Sequence, residues 1–331
     1  MSVVLDEYKG FCIDYNCSTT KPEPIITTGI DCFVEHNASF KEQIEETEDI
    51  PVQLQNNKSN KKSKQEKKLQ KQQKKQRVTE RKLRREHPNG SELPTPNHSF
   101  NPILTTNKIK KIYSKLQTKE ETKLFQYESV ALYSTDLDQL LPGEWINDNV
   151  ISLIYEYLNQ TYLQKFQKFI KLISPAVVQL MIYTEYEIIT KSDFEKGKFI
   201  FMPVNETEDG DHWFLVVVNI LENSMLVYDS MEGDSGSENQ NLLNILATKL
   251  FKTGIIASRK LNILRMKTDQ QSNFDDCGVY VIMISCYLTH MLLNQPINFD
   301  LSNIKYNALK GRLDVLEIID DLNTQINKPS Y

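Results

Sequence analysis

The sequence predicts an α+β fold, and three observations carry that expectation. Segments of helical period come first, strand-like apolar runs follow, and helical segments return; that order belongs to a mixed domain rather than to alternating βαβ units. The run His212–Ile220, HWFLVVVNI, is apolar almost without a break, so it belongs in the middle of a sheet with both faces covered. The 331 residues are 40% hydrophobic and 25% charged, enough for one domain of about 200 residues plus extra segments.

Periodic apolar structure begins near Gln126. Asn147 and Asp148 can cap a helix through Leu158, with Val150, Ile151, Ile154, Tyr155 and Leu158 on its buried face. A second helix starts at Ser174-Pro175, the serine as cap and the proline at the first helical position. Strands follow over Lys198–Val204, His212–Ile220 and Met225–Asp229, the last two joined as a hairpin through Leu221–Ser224. Asn241–Phe251 reads as helix, Lys260–Lys267 as a strand, Gly278–Leu293 as a long apolar helix and Leu309–Leu322 as an amphipathic one.

Charge divides the rest of the chain. Residues 1–57 hold 11 acids against three Lys, and 58–85 hold 14 Lys/Arg against two acids, so the net charge of −5 averages opposite regions. The Gln/Asn/Lys-rich stretch 52–86 cannot bury a core and is expected to be disordered or a solvated helix. The expected organisation is an acidic segment 1–57, a basic low-complexity segment 58–87, a linker 88–124 marked by His87-Pro88-Asn89-Gly90 and Pro94-Thr95-Pro96, and a folded domain 125–331. The basic run reads either as a site for a nuclear import factor or nucleic acid, or as a plain spacer. Five Cys in so long a chain exclude a disulfide scaffold. No run of 18 apolar residues and no signal-peptide pattern occur, so a chain of the cytoplasm or nucleus, without a membrane partner, is expected. Cys12, Cys17, Cys32 and His36 brush against zinc-finger spacing, but the acidic, apolar-poor surroundings favour coincidence.

Chemistry concentrates at Cys277, where the loop Gln270–Asp276 enters an apolar helix. Free amides and the helix dipole at such an N-terminus favour the thiolate. Gly278 keeps bulk away from the sulfur. An isolated cysteine here is more often a structural core thiol, and its company alters that reading. A thiol nucleophile needs a base to take its proton and return it to the leaving amine, and a group to orient that base. His212 opens the central strand and Asp229 closes its neighbour, so a hairpin turning at 221–224 puts both toward one end of the sheet. Gln271 has a side-chain N–H for an oxyanion. Taken singly, His212 is a core or surface histidine, Asp229 a strand-ending turn residue and Gln271 a polar loop residue. Cys286 and His290, four apart on the last long helix, read as core or edge residues.

The set His212-Trp213, Tyr228-Asp229-Ser230 and Gln271-(x5)-Cys277-Gly278, preceded by Trp145-Ile146-Asn147-Asp148, resembles the ubiquitin-like-protein-specific (Ulp/sentrin) cysteine protease family. The resemblance covers about 125–331 and is nearest to the deneddylase branch, through Glu128–Leu141, Ile173–Gln179 and an end 54 residues past Cys277. It implies a papain-like, adenain/Ulp-type domain with a central mixed sheet flanked by helices. It also implies a Cys277–His212–Asp229 triad, and an oxyanion site of Gln271 and the Cys277 N–H. Trp145 and Trp213 would line a narrow tunnel for a Gly-Gly tail, with Gly278 beside the sulfur. Trp145 is open to a core-filling role, and Asp148 either contacts the tail or only caps its helix. Three departures stand out: Ile146 replaces the usual Leu, Asp275 adds a second carboxylate before the nucleophile, opposing thiolate formation, and the long charged N-terminal extension is unlike a minimal deneddylase.

The implied reaction is attack of Cys277 on the carbonyl of a modifier's last glycine, releasing a lysine ε-amine or a short extension, with no metal or cofactor. The expected partners are a Nedd/Rub-type modifier and its conjugates, acting on a monomeric enzyme. The rivals are a SUMO-directed protease of the same family, a protease-like module that grips a modifier without cutting it, and acyl transfer to an amine.

Overall fold

The computed structural model describes residues 101–328 apart from 119, 168, 185–197, 207–211, 232–237, 259 and 295–298. The acidic and basic segments and the Cys12/Cys17/Cys32/His36 set lie outside the described residues.

Structure begins earlier than the sequence suggests. Helix α1, Pro102–Leu116, occupies what was expected to be linker. Asn101 caps it, accepting from the N–H groups of Ile103 and Leu104 at 3.0 and 3.1 Å, with proline at the first helical position. Only Thr105, Ile109 and Leu116 of its 15 residues are buried. So thin a stripe, flanked by lysines, leaves little apolar periodicity to detect. Strands β1 (Lys123–Tyr127) and β2 (Val130–Tyr133) then form an antiparallel hairpin, and a 3-10 segment, Ser134–Leu140, leads on.

Helix α2 (Asp148–Leu158) is capped by Asn147, whose side chain accepts from the Val150 N–H. A single π turn, Asn159–Leu163, follows it. Strand β3 (Ile170–Leu172) and helix α3 (Pro175–Tyr183) come next, with Ser174 at the cap position but making no side-chain capping bond. Strands β4 (Phe199–Asn205), β5 (Trp213–Asn219) and β6 (Ser224–Tyr228) precede helix α4 (Glu238–Lys252), strand β7 (Asn262–Met266) and helices α5 (Cys277–Asn294) and α6 (Ala308–Ile326).

The large sheet has the order β3-β4-β5-β6-β7. Its outer pairs are parallel and its inner pairs antiparallel, so the mixed sheet expected from the sequence is present. Every residue of β4, β5 and β6 is buried. Alternation divides them: Phe201, Leu215, Val217 and Leu226 pack on the face that carries α2, α5 and α6. Met202, Phe214, Val216 and Val227 join the core formed with α3 and α4. Two covered faces explain why HWFLVVVNI lacks polar alternation.

The β5–β6 register pairs Leu215 with Tyr228 and Asn219 with Ser224. That is two residues tighter than a turn at 221–224 implies, and His212 and Asp229 still fall at one end of the sheet. Helix α5 lies over the central strands, and all of its residues except His290, Leu293 and Asn294 are buried. By length and hydropathy alone it is apolar enough to cross a membrane, but 83% of it is inside the domain, as a core helix requires.

If α1 is an integral element, Ile109→Ala, at a fully buried site, lowers unfolding stability by about 2–5 kcal/mol. Ile103→Ala, at a 72% exposed site, changes it by no more than about 0.5 kcal/mol. Urea unfolding of the two variants checks this, and equal effects would detach α1 from the core.

Candidate active site

Antiparallel pairing delivers the entry of β5 and the exit of β6 to the same end of the sheet, so the first functional pair is set by backbone register. His212 Nε2 lies 2.7 Å from Asp229 Oδ1, both side chains being buried. The same carboxylate oxygen accepts from the Met231 N–H at 2.9 Å, which fixes its direction. The His212 ring stacks on Phe214. Burial works against a charged imidazole, but the hydrogen bond to Asp229 and the nearby Cys277 outweigh it, and the His212 pKa is pushed up to about 10. With Nε2 committed to Asp229, Nδ1 is buried without a hydrogen-bond partner among the described residues. Cys277 is near enough to help hold the ring's proton, so the nitrogen that Asp229 does not use is the one suited to the thiol.

Cys277 is the first residue of α5 and is buried. The Asp276 carbonyl already accepts from the Tyr280 N–H, so Cys277 stands in the first turn, whose N–H groups have no intrahelical acceptor. Such donors suit an oxyanion or a thiolate. By contrast, Cys286 lies in the middle of the same helix, where burial pushes its thiol up and keeps it inert.

The two acids before Cys277 are not free charges. The Asp275 carboxylate accepts from the Trp145 indole N–H at 3.2 Å. Asp276 Oδ1 accepts from Arg312 Nε and Nη2 at 3.0 and 2.7 Å, and its Oδ2 from Asn273. Arg312, 1% exposed, also donates to the carbonyls of Gln139, Leu141, Glu144 and Asp275. One guanidinium therefore binds the loop before Trp145 to the loop before Cys277 and offsets the acidic charge beside the thiol. Between its acceptors, Gly143 adopts φ +88°, a backbone conformation that glycine supplies without strain.

Gln271 is held on both sides. Its amide nitrogen donates to the Asn273 carbonyl at 2.8 Å and its amide oxygen accepts from the Ser230 hydroxyl at 2.7 Å. Its neighbour Gln270 donates to the Asp229 carbonyl.

The aromatic motif is built by a second hub. Buried Asp136 accepts from Asn147 and Asn149 side chains at 2.8 and 2.7 Å and from the Tyr133 N–H. The Trp213 indole N–H donates to the Ile146 carbonyl at 2.9 Å. Trp145, Asp148 and Trp213 line one cavity of about 650 Å³, together with Gln179, Leu180 and Asn205. Asn147, rather than Asp148, supplies the capping bond, which leaves the Asp148 carboxylate at the cavity. Gly278 does not line it: a Cβ there would lie 2.6 Å from Ile146 Cβ and 3.3 Å from Trp213 Cδ1. Its missing side chain makes room for Ile146 and Trp213 rather than for open space beside the sulfur.

Sequence reasoning missed Arg312, Asp136 and Asn205 as parts of this assembly, and gave Ser230 a place in a motif without a role. Arg312 did leave a signal. It stands three residues after Leu309 and four before Leu316, a charge on the apolar stripe of α6 where an aliphatic residue is expected.

Residues 144–321 match the family model described as "Ulp1 protease family, C-terminal catalytic domain". Among curated proteins, the chain is 30% identical to NEDD8-specific protease 2 of Schizosaccharomyces pombe, over 62% of this chain and 53% of that protein. It is 26% identical to the probable sentrin-specific protease 8 of Dictyostelium discoideum, over 53% of this chain and 78% of that one. It is 22% identical to ubiquitin-like-specific protease 1 of Saccharomyces cerevisiae, over 56% of this chain and 29% of that protein. The chain thus spans about half the length of the fission-yeast relative.

Two outcomes follow from the charges. Arg312→Met leaves the Asp276 carboxylate without its cation and takes a donor from each of four carbonyls, so it costs about 3–5 kcal/mol of folding stability in denaturant titrations; a loss under about 1 kcal/mol would remove the guanidinium from its structural place. For His212, folding raises the pKa. Its charged form therefore stabilises the folded chain fully below the ordinary value of 6.5, and that contribution is lost as pH rises through about 10. The stability difference between the wild type and His212→Gln narrows across that window, and a constant difference would show that the ring is not held charged.

Proposed function

Because the chain belongs to the Ulp1 protease family, matching its C-terminal catalytic domain over residues 144–321, we propose that it is a thiol protease and isopeptidase cleaving after the C-terminal Gly-Gly of a ubiquitin-like modifier. The observation that carries the reading is the His212–Asp229 contact of 2.7 Å, with Cys277 near enough to help hold the ring's proton.

On this reading the Cys277 thiolate attacks the carbonyl carbon of the modifier's last residue. The carbonyl π pair moves onto oxygen, where the Cys277 N–H and one amide hydrogen of Gln271 meet the negative charge. Protonated His212, kept in orientation by Asp229, gives its proton to the leaving amine as the C–N bond breaks. The thioester that remains is hydrolysed by a water that loses a proton to the same nitrogen, and the thiolate returns. The cavity lined by Trp145 and Trp213 receives the tail, and glycine is the residue a narrow passage admits with least hindrance. A Nedd/Rub-type modifier is the favoured substrate, supported by the 30% identity to a protein named as NEDD8-specific.

Nedd/Rub, SUMO and ubiquitin, each carrying a C-terminal electrophile, test this directly on the full chain. The expected result is covalent capture fastest with the Nedd/Rub probe, and no adduct with Cys277→Ala. An adduct on the alanine variant would move the nucleophile elsewhere. Faster capture of the SUMO probe would replace the modifier assignment while leaving the chemistry intact. Tight binding without capture would turn the domain into a gripping module.

A further inference from the structure

A glutamine on a loop can turn its terminal amide by half a rotation and present oxygen where a donor is needed. An oxyanion donor therefore requires something that fixes which end faces the reacting carbonyl. Ser230 meets that requirement for Gln271. It is buried and directly follows Asp229. Its hydroxyl donates to Gln271 Oε1 at 2.7 Å, and its carbonyl accepts from the Gln271 backbone N–H at 2.9 Å. On the other side, Gln271 Nε2 donates to the Asn273 carbonyl at 2.8 Å. A flipped amide would set its oxygen against that backbone carbonyl, two acceptors face to face, and would lose the Asn273 bond outright. The observed orientation uses the amide oxygen and one of the two amide hydrogens, which leaves one hydrogen for a ligand.

We propose that Ser230 is a positioning residue for the reaction, acting through Gln271 by holding the amide so that its second hydrogen is presented to the oxyanion. The inference rests on the reading of Gln271 as oxyanion donor. It also gives a reason for the adjacency of Asp229 and Ser230. Asp229 orients the base and Ser230 orients the oxyanion donor, and the Gln270 side chain, bonded to the Asp229 carbonyl at 3.0 Å, ties the same two loops together. Two separate parts of the reaction are thereby referred to the two residues that follow β6.

The test is a double-mutant cycle on the full chain, measuring kcat and KM for a modifier C-terminal fusion with the wild type, Ser230→Ala, Gln271→Ala and the double variant. Gln271→Ala is expected to lower kcat by about 10²–10³-fold, the usual effect of losing one oxyanion donor. Ser230→Ala is expected to lower kcat by about tenfold with KM unchanged, and to have no further effect once Gln271 is alanine. A serine that only supported the fold would lower kcat by the same factor in both backgrounds, and that result overturns the proposal. So does a Ser230→Ala protein as fast as wild type when Gln271→Ala is slow. A Gln271→Ala protein of full kcat overturns the oxyanion reading itself, and Ser230 falls with it. Matching thermal melts of Ser230→Ala and wild type confirm that kinetics, rather than folding, is being read.

Discussion

Both walls of the cleft are fastened to the buried guanidinium of Arg312. Taking a cation out of water costs several kcal/mol unless its N–H groups are met, and here its three nitrogens donate to four backbone carbonyls and the Asp276 carboxylate. Two of the segments it joins are far apart in the chain: 139–144 runs into the Trp145 motif, and Asp275-Asp276 runs into Cys277. A lysine has neither the planar fork nor the reach in several directions that this junction uses. Its place depends on the residue before it. A Cβ at Gly311 would sit 2.8 Å from Met283 Sδ and 2.9 Å from Val279 Cγ1, so glycine lets α6 lie close against α5. That closeness carries Arg312 to the N-terminal end of the helix that bears the thiol.

The remaining parts are placed by the sheet. Because β4, β5 and β6 are covered on both faces, a one-residue slip would turn every side chain toward the opposite core. The register of His212 against Asp229 is therefore protected by hydrophobic burial rather than by their own contact. The pair can then be electrostatically costly. A buried imidazole would ordinarily lose its proton, and the carboxylate holds it instead. The fold supplies the stability, and the site uses it to keep a charged ring beside the thiol.

The sheet and the main helices were legible in the sequence because each carries a strong period or an unbroken apolar run, as in HWFLVVVNI and α5. Proline at the first position placed the start of α3 to the residue, and the Asn147-Asp148 pair placed that of α2 to within one. Helix α1 was hidden because only Ile109, Leu116 and Thr105 face inward. Strand β3, three residues long, is too short for alternation to register. The candidate set stood out because Cys277, His212 and Asp229 are chemically distinctive and lie at element ends. The roles of Arg312, Asp136 and Ser230 escaped for a different physical reason. Their importance lies in which carbonyls and side chains surround them, and those partners come from sequence positions up to 173 residues away. From the sequence, Gly278 is expected to keep bulk away from the sulfur, yet the space it makes is filled by Ile146. A sequence shows that a side chain is absent, but only packing shows who uses the room.

Two ties join the aromatic motif to the entry of the thiol's helix, Ile146 seated on Gly278 and the Trp145 indole on Asp275, while the Trp213 indole on the Ile146 carbonyl joins the two halves of the motif. Close-packed contacts of this kind resist gradual opening, since interiors have little free volume to absorb a shift. A shift of Trp145 or Ile146 is therefore passed to the N-terminus of α5, where Cys277 stands. On the proposed reaction, a tail that fits the cavity leaves the thiol in place, whereas a tail that displaces Trp145 or Ile146 disturbs the site it has entered. On that proposal, the packing that aligns the thiol and the packing that admits the tail share the contact of Ile146 with Gly278.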